Sequence, residues 1–313
     1  MVRSSRILVQ PRRAADGLYA PNRPLRNAGT WVSSLVRRAV AACTPSHDPL
    51  DAEWMPTARL CQTPLGARSL TVAGIGTPTV VFESGAGDGK EAWSSVFNAI
   101  CAETRAVAYD RAGYGDSERS KERRDGLQIV SELRAMLRAE NIAPPYVLVG
   151  HALGGTFAKL FARTYPKEVA GVVLVEARHS IFVKRCRKMG VPRLLYEPPI
   201  AMRKLASAAM RGELAASPVT IKQVRAAGSF PAVPLIALTR RKAANHWLGG
   251  VARAWTESQR SLANLSVLGR VKVCEYSGYH MHKDRPEVVV SAVVKVLTAA
   301  RYMQANNKPL RPD

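Results

Sequence analysis

From Ala58 onward, short β-branched runs alternate with stretches of helical periodicity, and this alternation limits the chain to few architectures. The runs Thr79–Phe82, Ala106–Tyr109, Tyr146–Val149, Val172–Val175, Leu235–Leu238 and Val271–Glu275 have the length and composition of buried strands. Between them, Leu127, Val130, Leu133, Met136 and Leu137 recur at spacings of three and four and make one apolar helix face. Phe157, Leu160 and Phe161 repeat that pattern after the third run, and Pro286 opens a last helix carrying Val289, Val293 and Leu297. Strands joined through helices of this length need right-handed crossovers. The expected fold class is therefore α/β, a doubly wound, mostly parallel sheet covered on both faces. Ala58 to Val72, with its Pro64-Leu65-Gly66 turn, predicts an antiparallel hairpin at one edge.

Two segments stand outside the alternation. Residues 1–50 are basic, with Asp16 the only acid before Asp48, and read as a disordered or targeting extension ahead of a 51–313 domain. Thr30 to Cys43 has helical amphipathy within it, and no apolar run of signal-peptide length follows the Arg pairs. Between about 178 and 227 the pattern turns helical and basic, broken by Pro192, Pro198 and Pro199. An insertion with its own short helices, lying as a lid across the open end of the sheet, is expected there.

The most specific local signal is Val147-Leu148-Val149-Gly150-His151-Ala152-Leu153-Gly154-Gly155, a strand running through a glycine-rich turn into a helix. This is the frame of a nucleophile elbow, G-x-S-x-G. Further stretches follow in order: Phe82-Glu83-Ser84-Gly85-Ala86-Gly87, Tyr109-Asp110-Arg111-Ala112-Gly113-Tyr114-Gly115, and Ser277-Gly278-Tyr279-His280 ahead of Asp284-Arg285-Pro286. From about Thr79 to Leu297 the chain resembles the α/β-hydrolase superfamily, whose esterases and lipases work through Ser, His and Asp or Glu. The resemblance implies an oxyanion hole from the backbone N–H groups of Ala86 and Leu153, with Gly85 and His151 beside it. It gives Asp110 and Arg111 loop-holding roles.

The chain departs from that pattern at each member of the triad. Ala152 stands where the superfamily carries its serine, and a methyl group cannot attack an ester. The usual position of the base holds Tyr279, with His280 one residue later and His282 a third candidate. After Pro234 to Leu238 no acid follows. Arg240, Arg241 and Lys242 stand there instead, ahead of Asn245-His246-Trp247, which leaves Glu176 as the best candidate acid; its plainer role is to pair with a basic neighbour such as Arg178.

Lys and Arg number 46 against 24 Asp and Glu, a net charge of +22. Such an excess attracts anionic surfaces without specificity, and no nucleic-acid motif accompanies it. The chain has no run of about 18 uninterrupted apolar residues, so no transmembrane segment is expected. Five scattered cysteines without a CxxC pair favour a reducing compartment, the cytoplasm, or an organelle if the Arg-rich N-terminus is a targeting segment. Gly85 to Lys90 lacks phosphate-loop spacing and the histidines lack zinc spacing, so neither cofactor nor metal is expected.

Two functions follow. One is a protein of carboxylic-ester-hydrolase ancestry without serine chemistry, holding a small acyl-bearing ligand that the basic lid requires to be neutral or anionic. The other is an esterase-like hydrolase, active by another route or inactivated at residue 152.

Overall fold

A computed structural model describes residues 56–192, 206–241 and 249–306. The N-terminal extension, with its Thr30–Cys43 stretch, lies outside the described residues. So do Arg193, Pro198, Pro199, Arg203 and Lys204 of the insertion and the Lys242–Trp247 run.

The strands are β1 (Arg59–Cys61), β2 (Arg68–Ala73), β3 (Thr79–Glu83), β4 (Ala106–Tyr109), β5 (Tyr146–His151), β6 (Val169–Val175), β7 (Leu235–Arg240) and β8 (Gly269–Cys274). They form one 8-stranded sheet in the order β1-β2-β4-β3-β5-β6-β7-β8. The β1–β2 pair is the antiparallel edge hairpin, and β2 also runs antiparallel to β4. All the remaining pairs are parallel. Central strands β3 and β5 are buried along their whole length, which is why they read as continuous apolar runs rather than alternating ones.

The helices are α1 (Ser94–Cys101), α2 (Gly126–Ala139), α3 (Gly154–Thr164), α4 (Ser180–Lys188), α5 (Ala208–Ala226), α6 (Gly249–Ala263), α7 (Met281–Asp284) and α8 (Pro286–Asn306). They divide between the two faces as the alternation requires. Ile129, Leu133, Met136 and Leu137 of α2 and Phe157, Leu160 and Phe161 of α3 pack with Val81, Val107 and Leu148 on one face. Val96, Phe97 and Ile100 of α1 and Val289, Val293 and Leu297 of α8 pack with Val80, Phe82 and Val149 on the other. By length and composition α8 could cross a membrane. Here its most apolar side is the lining of this second core.

Chain order fixes where a ligand can reach. After β3 the chain steps outward to β4, then returns across β3 to β5 and continues the opposite way. The reversal falls between β3 and β5, and the region beyond the C-terminal ends of the strands at such a point is the usual ligand position in open α/β sheets. The segment between β6 and β7 carries α4 and α5. The second of these is a 19-residue helix rather than a short one, and it packs on α2 and α3.

Candidate active site

At the C-terminal end of β5 the chain must reverse into α3 within a few residues. Ala152 does this with φ +48°, the left-handed region that non-glycine residues rarely enter, while its N–H donates to Val175 O at 3.0 Å. The turn presses on the end of β3. A Cβ on Gly154 would lie 2.2 Å from Glu83 O and 2.4 Å from Ser84 O, so only glycine fits. The strand-to-helix turn is thus tight, with the buried methyl group of Ala152 at its centre. Among the described residues, neither the Leu153 N–H nor the Ala86 N–H has a hydrogen-bond acceptor.

The segment after β8 brings all three base candidates next to His151. The His151 ring lies 4.9 Å from that of Tyr279, 5.5 Å from that of His280 and 4.6 Å from that of His282. His151 Nε2 donates to Tyr279 O at 3.1 Å. His282 is fully buried against Trp93, its two ring nitrogens without hydrogen-bond partners among the described residues. Burial pushes the His151 pKa down to about 4, against the opposing pull of Asp88, and holds His282 well below its ordinary value. Burial also lowers His280. These rings are neutral at pH 7, and His151 is too weak a base to take a proton readily.

Glu176, the candidate acid, is buried at the end of β6 and also left-handed, φ +47°. Its Oε1 accepts from Arg240 N at 2.7 Å and Thr239 Oγ1 at 3.0 Å, and its Oε2 lies 3.3 Å from Arg240 Nε. One cation it meets is Arg240 on the neighbouring strand; Arg178, the neighbour the sequence offered, is exposed and lies 6.0 Å from the Phe182 ring centroid. Arg240 in turn lies over the Tyr279 ring at 5.7 Å. A carboxylate whose charge is matched by a guanidinium is a poor partner for an imidazolium.

Two groups escaped the sequence reading. Asp88, in the loop after β3, places Oδ2 3.8 Å from His151 Nδ1. The second is a buried cluster around Arg111, whose five N–H donors all find acceptors. Nε and Nη2 grip Glu213 at 2.7 and 3.0 Å, Nη1 reaches Glu83 and Ser84 O at 2.8 and 2.7 Å, and Nη2 reaches Gly85 O at 2.8 Å. Tyr114 OH also donates to Glu213, at 2.8 Å. Glu213 belongs to α5, so the inserted helix is tied to the very loop that carries Ala86. Its signal was present: Glu197 and Glu213 are the only acids between 178 and 227. Asp110 is a loop anchor that accepts from Lys90 N and Nζ at 2.8 and 2.7 Å, which also explains the lysine after the Gly85–Gly89 stretch.

Solved structures share this architecture. An esterase from Thermogutta terrifontis superposes with a TM-score of 0.57 at 18% identity, covering 78% of this chain and 99% of its own. A meta-cleavage product hydrolase from Pseudomonas fluorescens gives 0.54 at 16% identity, covering 80% and 99%. In sequence, the uncharacterized protein YqjL of Bacillus subtilis is 26% identical over 223 residues, 71% of this chain and 84% of that protein. The sequence pattern of one family runs through residues 80–306, from β3 to the end of α8, and by it the chain belongs to the alpha/beta hydrolase family.

Proposed function

We propose that this chain is of carboxylic-ester-hydrolase ancestry, has given up serine chemistry, and uses the crevice at its elbow to hold a small acyl-bearing ligand. The observation that carries this is Ala152 at the apex of an otherwise complete elbow. The acyl-enzyme route needs an oxygen at that point, and losing it typically costs about 10⁶ in turnover. The unpartnered N–H groups of Ala86 and Leu153 can still donate to a carbonyl oxygen without any nucleophile. Helix α5, anchored through Glu213, serves as the lid across that oxygen site, and its basic neighbours favour neutral or anionic ligands. The +22 charge adds salt-sensitive adsorption to anionic surfaces, apart from the crevice.

Hydrolysis of p-nitrophenyl butyrate by the parent and by Ala152→Ser tests this. Both are expected to be inert, the added hydroxyl raising the rate by less than about tenfold, because Glu176 is matched to Arg240 and burial lowers the pKa of His280. The strained Ala152 backbone favours a second reading, an esterase inactivated at this one residue. On that reading Ala152→Ser turns over with a burst of acyl-enzyme. Turnover by the parent, abolished by His280→Ala, would overturn the non-catalytic assignment.

A further inference from the structure

The gap between Asp88 and His151 has the wrong hydrogen-bond balance for an isolated protein. His151 Nε2 gives its proton to the Tyr279 carbonyl, so in the neutral ring Nδ1 is a bare acceptor. The ring is 1% exposed and Nδ1 has no donor. Facing it at 3.8 Å is Asp88 Oδ2, on a side chain 10% exposed that also lacks a donor among the described residues. Two acceptors confront each other in a poorly solvated place, an arrangement that costs free energy until a donor enters.

Gly85 keeps that gap clear. A Cβ there would stand 2.9 Å from both Asp88 Oδ2 and His151 Nδ1, although no positive φ demands glycine at this position. The close approach of the His151 ring and the Asp88 carboxylate is itself what excludes a larger residue. One nitrogen bearing two hydrogens, ~2.8–3.0 Å from each acceptor, spans their separation. Two unused donors lie alongside: Ala86 N–H follows Gly85 directly, and Leu153 N–H is two residues past His151. By chain position, the acceptors for an NH₂ group and the donors for a carbonyl thus flank the same turn. An ester has no hydrogen for the acceptors. A carboxylate would set a second negative charge against Asp88, and an alkylammonium would leave the two N–H donors facing a cation.

We propose that this site recognises a primary carboxamide, its NH₂ held between His151 and Asp88 and its carbonyl oxygen on the Ala86 and Leu153 N–H groups. The assignment rests on the non-acylating crevice proposed above and narrows its ligand class.

The test titrates the full chain with butyramide, methyl butyrate, butyrate and butylammonium, reading affinity by calorimetry. Butyramide is expected to bind at least about tenfold more tightly than methyl butyrate, the worth of one well-made buried hydrogen bond. Gly85→Ala should abolish that preference. Should Gly85→Ala fail to fold, Asp88→Ala removes one acceptor without filling the gap and should lose the same preference. Equal affinities for amide and ester, a preference for butylammonium, or no butyramide binding up to its solubility limit would each overturn the proposal. Ester turnover is read separately. A parent that hydrolyses p-nitrophenyl butyrate defeats the non-acylating crevice, and the amide preference still stands or falls on the titration.

Discussion

Replacing Arg111 with methionine lowers the free energy of unfolding by roughly 3–5 kcal/mol, measured by urea denaturation at pH 7. The size follows from what the guanidinium leaves behind. Glu83 and Glu213 are both buried, and both face the same cation. Without it two carboxylates lose their counter-charge in a place that water does not reach, and Ser84 O and Gly85 O lose their donors. Arg111→Lys keeps the charge but cannot reproduce five donors in a planar fork, so it recovers only part of the loss. Adding Glu213→Gln to Arg111→Met should restore stability relative to the single variant, since one stranded charge is removed. A loss below about 1 kcal/mol for Arg111→Met would show that the cluster is solvated and that α5 is not tied to the Gly85–Ala86 loop through it.

Between pH 7 and pH 5 the His282→Phe variant should lose about 2 kcal/mol less stability than the parent. An unfolded histidine titrates near 6.5, whereas burial holds native His282 well below that value. Below pH 6.5 the unfolded chain therefore binds a proton that the native chain refuses. The stability from this group is complete above pH 6.5 and drains as pH falls, at about 1.4 kcal/mol per unit. His151, pushed down to about 4, adds the same slope over the same range. Glu83 and Asp110 act in the opposite direction, because burial raises their pKa values and lets the native chain take up protons first. Comparing variant with parent isolates the histidine from those carboxylates. Phenylalanine keeps a ring against Trp93 and removes two nitrogens without partners, so the variant should also be no less stable than the parent at pH 7. Parallel stability–pH curves for parent and variant would show that His282 is protonated or hydrated in the native state.

Much of the architecture was legible before any coordinates. Each of the six strand runs is a strand, the Pro64-Leu65-Gly66 turn lies between the antiparallel β1 and β2, and Pro286 is the first residue of α8. These features depend on side-chain period and backbone preference over a few residues. The elbow was legible for the same reason: two glycines around residue 152 signal a turn too tight for side chains, and Ala152 is left-handed there. The stretch between β6 and β7 was legible only as an interruption, because composition marks a segment as helical and basic without saying what it touches.

What the sequence by itself determined is the doubly wound sheet and the tight turn from β5 into α3 with Ala152 at its centre. These are local facts, encoded by residues within one turn or one strand of each other. Only the tertiary structure decided which charges meet. Glu176 finds Arg240 across 64 residues of chain, and Arg111 finds Glu213 across 102. Tyr279, His280 and His282 all reach His151, from 128 residues away in the case of Tyr279, so the choice among base candidates that spacing posed has no single answer. Partners so distant are selected by how whole elements pack. A carboxylate takes the nearest cation that the packed backbone delivers, and no periodicity along the chain records which one that will be.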